Sequence, residues 1–227
     1  MQENNTSMKK IFIPAYLKRD PLPSVKRALK RLKKYERVGL ITTAQHLNQL
    51  QKVEEFLTRN GKIPVEGGQI LGCNLTNAEK IEEEVDCFLY IGSGRFHPLG
   101  IAILTDKPVI IANPYSDSSS VISEEDKKRY FKRRKGQVMK ALTAEIFGIL
   151  ISTKDGQFNL KEAIEIKRKI ERRGKRAFLF AGSEITPDNL LPFDVDSWIN
   201  TACPRLVDDY FEKPVLNPEE LEILDEV

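Results

Sequence analysis

Apolar residues recur along this chain with two different spacings. Residues 37–42 (RVGLIT) and 145–152 (EIFGILIS) are near-continuous apolar runs, the mark of strands covered on both faces. Residues 9–14, 86–91, 108–112, 176–181 and 196–201 read as further strands. Between them the spacing lengthens to the helical repeat. Leu47, Leu50, Val53 and Leu57 line one stripe of a helix predicted over 46–60, which Asn60-Gly61 ends with a left-handed stop. Helices are also predicted over 21–35, 76–84, 96–105 and 160–173, and a last one starts at Asn217 with Pro218 in its first turn. Alternation of this kind predicts an α/β protein with mostly parallel sheets flanked by helices.

The pattern breaks at residues 113–123 (NPYSDSSSVIS), which read as a linker. Ser123 then caps a new helix whose first turn is acidic, Glu124-Glu125-Asp126. Two domains follow, 9–122 and 123–227, behind a disordered polar extension of residues 1–8. The halves echo one another. Ile41-Thr42-Thr43 is matched by Ile151-Ser152-Thr153, and Asn60-Gly61-Lys62 by Arg173-Gly174-Lys175, which suggests two copies of one unit. Each copy is expected to carry one cysteine in a loop after its second helix, Cys73 and Cys203.

Composition narrows the class without naming it. With 41% apolar and 30% charged residues among 227, the chain is ordinary for a globular protein. A net charge of +3 gives no argument for nucleic acid. The basic runs 26–34 and 127–135 are interrupted at helical spacing and read as solvated helix faces, with a docking surface for an acidic or RNA-associated protein as the alternative. No apolar stretch approaches the roughly 20 residues that cross a bilayer, and the first residues lack an export signal. The expected location is the cytoplasm, with neither membrane nor direct nucleic-acid partners. Three cysteines, an odd and scattered set, argue against a disulfide framework. They leave structural thiols, a catalytic thiol or distant ligands to one metal centre.

Individual residues sharpen these options. Cys73 lies in Gly67-Gly68-Gln69-Ile70-Leu71-Gly72-Cys73-Asn74, ahead of a predicted helix, where backbone N–H groups favour a thiolate. Cys203, in Ala202-Cys203-Pro204-Arg205, sits at the carboxyl end of a strand, where ligands gather in open α/β sheets. Cys87 falls inside a strand and reads as core. The loop Gly92-Ser93-Gly94-Arg95-Phe96-His97 joins a strand to a helix and offers successive N–H groups to phosphate or carboxylate. Such turns are common, and His97 taken alone reads as a helix-start histidine. Thr42-Thr43-Ala44-Gln45-His46 opens a helix in the same way, so both loops should share a sheet edge and border a small-molecule pocket.

Taken together, Ile41 to His46, Gly68 to Asn74, Ile91 to Gly100, Lys107-Pro108-Val109, Asn113-Pro114-Tyr115, Ala202 to Arg205, Asp208-Asp209-Tyr210 and Lys213 to Leu216 resemble the archaeal diphthamide-synthesis 3-amino-3-carboxypropyl transferases. The order and spacing agree from Lys9 onward. The resemblance implies three homologous α/β domains that each give one cysteine to a 4Fe-4S cluster, with Cys73 and Cys203 as the ligands from the second and third. It implies S-adenosylmethionine as substrate, reductive release of a 3-amino-3-carboxypropyl radical, and its addition to a histidine of elongation factor 2. Gln45, His46, Gly92, Ser93, Gly94, Arg95 and His97 would line the pocket for the methionine part, with Arg95 or the loop N–H groups on its carboxylate.

The family's first domain has no counterpart in these residues. The expectation is a separately encoded first-domain polypeptide that completes the site in trans, within a homo- or heterodimer served by an electron donor. The alternative is a non-catalytic paralogue or accessory subunit that docks elongation factor 2 or a catalytic partner. A third reading, apart from the resemblance, is a two-domain protein that binds a nucleotide or sugar.

Overall fold

A computed structural model describes residue 13 and residues 15–72 and 74–222. The strand expected over 9–14, the extension of residues 1–8 and Cys73 itself lie outside the described residues, save for Ile13. The chain divides into two compact units, with the break after Ile122.

The first unit begins with α1 (Leu22–Leu32) and β1 (Arg37–Thr42). The helix expected over 46–60 is split: Ala44–Gln49 forms a 3-10 helix and Leu50–Arg59 forms α2. Gly61 ends it at a φ of 72°, the left-handed stop that Asn60-Gly61 predicts. There follow β2 (Ile63–Gln69), α3 (Thr76–Lys80), β3 (Cys87–Ile91), α4 (Phe96–Leu104) and β4 (Val109–Asn113). The segment 113–123 is not simply a linker: it contains β5 (Ser118–Val121), which turns back antiparallel on β4. The strand order is β2-β1-β3-β4-β5, with the first four parallel.

The second unit opens with α5 (Glu124–Ala141), and the predicted cap is present. The Ser123 hydroxyl accepts from Asp126 N–H, and the Asp126 carboxylate accepts from Ser123 N–H at 2.8 Å. Then come β6 (Ile146–Ser152), α6 (Leu160–Glu171), β7 (Arg176–Gly182), α7 (Pro187–Leu190), β8 (Ser197–Asn200) and β9 (Val215–Leu216). The helix expected from Asn217 is a 3-10 helix, Pro218–Leu221. The sheet is wholly parallel, in the order β7-β6-β8-β9. Second strand, first, third, fourth is also the order of the parallel strands in the first unit, so the repeat in the sequence is a repeat of topology.

Helices cover both faces of the first sheet. Val38, Leu40, Leu89 and Ile91 face Val25, Ala28 and Leu32 of α1 and Val53 and Leu57 of α2. Ile41, Phe88, Tyr90 and Ile111 point the other way, toward Ile101 and Ala102 of α4. In the second unit Phe147, Ile149 and Ile199 pack on Ala163, Ile166 and Ile170 of α6, while Leu150 and Trp198 join Leu190, Val195 and Val207. Burial on both sides is why β1 and β6 read as continuous apolar runs. Cys87 is fully buried in β3, and burial pushes its thiol up to about 12, as a core cysteine should behave.

The basic faces divide. Lys26, Arg27, Lys30 and Arg31 of α1 are exposed, as are Lys128, Arg129, Lys132 and Lys135 of α5. Arg134 is the exception: it is buried and paired with Glu220. Among the described residues, no helix is long and apolar enough to cross a membrane.

Candidate functional site at the carboxyl edges

In the first unit, hydrogen bonds lace the strand ends together. Thr42 Oγ1 donates to the Ile91 carbonyl at 2.7 Å, joining the ends of β1 and β3. Gly92 N–H donates to the Ala112 carbonyl at 3.0 Å, and Ile70 N–H to the Thr42 carbonyl at 2.8 Å. The loops that follow β1, β2 and β3 therefore start from fixed points on one edge, beside the end of β4. Where strand order departs on both sides of the first strand, the loops after the first and third strands border the natural crevice.

Aromatic rings gather there. Tyr90 is buried near the end of β3, its hydroxyl hydrogen-bonded by Thr43, and burial pushes it up to about 12. The His97 ring stacks on Tyr90, with centroids 6.0 Å apart and planes 15° apart, and Phe96 meets His97 edge-on. Gly92 is required by this packing, because a Cβ there would lie 2.7 Å from the Tyr90 hydroxyl oxygen. On the other side His46 meets the Tyr115 ring edge-on at 5.9 Å, and the Arg19 guanidinium lies over Tyr115 at 6.0 Å.

His46 is the unusual member. It is only 2% exposed, and its Nδ1 has no hydrogen-bond partner among the described residues. Burial lowers its pKa, which keeps the imidazole neutral at neutral pH. Buried polar atoms are nearly always paired, so an unpartnered ring nitrogen beside a strand edge stands out among the described residues.

The structure thus brings His46 and His97 onto one aromatic cluster, with Tyr90, Thr43 and Tyr115 between them. Gln45, Ser93, Gly94 and Arg95 are exposed on the same edge. The Gln45 carbonyl accepts from Leu17 N–H at 2.9 Å, and Arg95 donates to the Val121 carbonyl at 3.3 Å. Gly92 N–H is committed to the sheet ladder. Tyr90 was not legible as a site residue, since a tyrosine within CFLYI reads as strand core.

In the second unit, Cys203 follows β8. It is a free, half-buried thiol that immediately precedes a 3-10 helix, Pro204–Asp208. Its backbone is fixed by Asn200: Nδ2 donates to the Cys203 carbonyl at 2.9 Å, and Oδ1 accepts from Ala202 N–H at 3.1 Å. The expected equivalence of Cys73 and Cys203 does not hold. Residue 73 follows a second strand in sequence, whereas Cys203 follows a third. Cys203 is as far beyond Asp196 as Ser93 is beyond Asp86, and those aspartates, just ahead of β8 and β3, make matching contacts with the starts of β6 and β1. The counterpart of Cys203 is therefore Ser93. Among the described residues, no group of three or more His, Cys, Asp or Glu side chains is placed to hold a metal ion. A free thiol at a strand end fits one position of an iron–sulfur ligand set, and the remaining positions would come from elsewhere.

Comparison with known proteins gives this arrangement a family. The diphthamide synthesis protein family model matches residues 1–226. The 2-(3-amino-3-carboxypropyl)histidine synthase of Pyrococcus horikoshii is 37% identical over 94% of this chain and 65% of its own length. The synthase of Methanocaldococcus jannaschii is 32% identical over 96% and 63%, and the human synthase subunit 1 is 31% identical over 81% and 43%. The crystal structure of Dph2 from P. horikoshii superposes with a TM-score of 0.86 at 35% identity, covering 94% of this chain and 64% of that one. The same protein with a 4Fe-4S cluster superposes with a TM-score of 0.84. The chain spans less than two thirds of the length of each of these relatives. From the family match over nearly every residue and the shared fold, the chain belongs to the diphthamide synthesis protein family.

Proposed function

We propose that this chain carries two α/β units of a 2-(3-amino-3-carboxypropyl)histidine synthase, acting in the cytoplasm in the first step of diphthamide biosynthesis. The reaction transfers the 3-amino-3-carboxypropyl group of S-adenosylmethionine to a histidine of elongation factor 2. The observation that carries the proposal is Cys203, a free thiol on a fixed backbone at the edge where α/β sheets bind ligands, in a chain whose relative has been crystallised with a 4Fe-4S cluster.

Cys203 and Cys73 would hold the cluster, and a third cysteine-bearing unit, joined to this chain or separate, completes the ligand set. When bound, the cluster supplies one-electron reduction, fed by an external donor. The residues of the first unit provide the rest. The stacked rings of Tyr90 and His97 give the edge above β1 and β3 an aromatic wall. The orphaned Nδ1 of His46 is a neutral acceptor for a substrate ammonium or hydroxyl group. Arg95 stands on the exposed rim for a carboxylate.

The test is anaerobic iron–sulfur reconstitution of the chain, alone and with a cysteine-bearing first-domain protein from the same source. A four-iron electron paramagnetic resonance signal that S-adenosylmethionine perturbs, and that Cys203→Ala and Cys73→Ala each abolish, is the expected result. Absence of bound iron under both conditions would overturn it in favour of an accessory subunit.

A further inference from the structure

Cys203 is not held by its own loop alone. Behind it runs a chain of buried polar contacts that begins on α5. Arg134 is 5% exposed. Its Nε donates to Glu220 at 2.8 Å, and its Nη2 donates to the Val215 carbonyl at 2.8 Å and to the second Glu220 oxygen. Nη1 reaches the Val207 carbonyl at 3.5 Å. Glu220 in turn accepts from Asn217 N–H at 2.8 Å. The Asn217 side-chain oxygen accepts from Asn200 Nδ2 at 3.1 Å, and that same Nδ2 donates to the Cys203 carbonyl. Asn200 and Asn217 are 3% and 8% exposed.

Each contact is local, yet together they tie β8, the segment after Cys203, β9 and the Pro218–Leu221 turn to one cation. Arg133 adds a surface pair to Asp208 at the far end of the 3-10 helix that Cys203 precedes. A buried ion pair does little for stability by itself, since desolvation offsets its attraction. Its usual use is to fix a geometry, and a fully satisfied buried network fixes one geometry strongly. The geometry fixed here is that of the thiol loop.

We propose that Arg134 is a positioning residue for Cys203, acting through Glu220, Asn217 and Asn200 to hold the thiol in its metal-ligating orientation. The inference deepens the function proposed above and rests on it for the role of the thiol, whereas the link between Arg134 and the loop does not depend on iron.

The experiment uses the full metal-free chain and follows alkylation of Cys203 by iodoacetamide with peptide-resolved mass spectrometry, Cys87 serving as the buried control. Arg134→Met and Asn217→Ala are compared with the parent, each first shown to be folded by circular dichroism. Loosening the loop should raise the Cys203 rate by about threefold or more, as exposure governs thiol reactivity, and leave Cys87 unchanged. Arg134→Lys, which keeps the charge but loses the fork, should fall between. Iron retained after reconstitution should drop in the same order. Because Arg134→Met strands the Glu220 carboxylate, the double variant Arg134→Met/Glu220→Met stands in for it if the single one does not fold. Folded variants with parental Cys203 rates would overturn the proposal and leave the network a purely structural role. Raised alkylation rates in the variants, with a parent that binds no iron, would instead uphold the linkage and refute the cluster reading.

Discussion

Asp86 and Asp196 occupy the same place in the two units and make the same pair of bonds. One Asp86 carboxylate oxygen accepts N–H from Glu36 and Arg37, both at 2.8 Å, and one Asp196 oxygen accepts from Glu145 at 2.9 Å and Ile146 at 2.8 Å. Each aspartate, just ahead of the third strand, thereby fixes the start of the first strand beside it. The accepted N–H groups hold both carboxyls below the ordinary value of 3.8. The unfolded chain therefore binds more protons than the folded one as pH falls below that value. The stabilisation is complete above about pH 4 and is lost as pH drops through the lower folded values. Asp86→Asn and Asp196→Asn should each flatten the acid limb of a stability-against-pH curve followed by circular dichroism, and leave stability at pH 7 lowered but measurable.

Gly148 lies under the Trp198 indole, where a Cβ would come within 2.2 Å of Cζ3. Phe180 and Phe193 pack edge-on against that indole and keep it from moving away. Gly148→Ala should cost about 1–3 kcal/mol through overpacking, read as a fall in denaturant midpoint at constant slope.

His46 presents the opposite balance. Removing a buried, unpartnered ring nitrogen relieves a desolvation penalty, so His46→Leu should match or exceed the parent stability, by up to about 1 kcal/mol. Its folded pKa lies below the ordinary 6.5, so the folded state takes up fewer protons than the unfolded one as pH falls past that value. Parental stability should decline as pH drops from 6.5 toward the folded value, and His46→Leu should lack that component. Under the proposed function, binding of S-adenosylmethionine, measured by calorimetry on the reconstituted protein, should weaken about tenfold or more as one buried polar contact is lost.

The two described cysteines should separate cleanly. Cys87, raised to about 12 within β3, should resist iodoacetamide at pH 8 until the chain unfolds, whereas Cys203 reacts in the native state. Cys87→Ser places a hydroxyl in the core and should cost about 1–3 kcal/mol. Cys203→Ser should stay within about 0.5 kcal/mol of the parent and lose iron.

How much of this was readable from the residues depended on the kind of signal. The buried strands β1, β3 and β6 announced themselves because both faces are apolar. β2 did not: its residues IPVEGGQ are partly exposed at the sheet edge, with two glycines and a proline, and carry neither alternation nor an apolar run. β5 was hidden in a serine-rich stretch because pairing with β4, not side-chain burial, makes it a strand. Both histidines were found by their loops, but Tyr90 and the orphaned nitrogen of His46 needed coordinates, since burial of a single polar atom has no period. Arg134 was lost inside a basic run whose other members are mostly solvated, and the packing of α5 on β9 separates it from them.

The match between Ser93 and Cys203 separates position from chemistry. Two copies of a βα unit end their third strands at the same point, and the loop beyond tolerates a hydroxyl in one and a thiol in the other. Both positions stand on the same backbone scaffold, so a single exchange of oxygen for sulfur is all that separates the two side chains. The strand end sets the place, and the side chain mounted on it sets the chemistry.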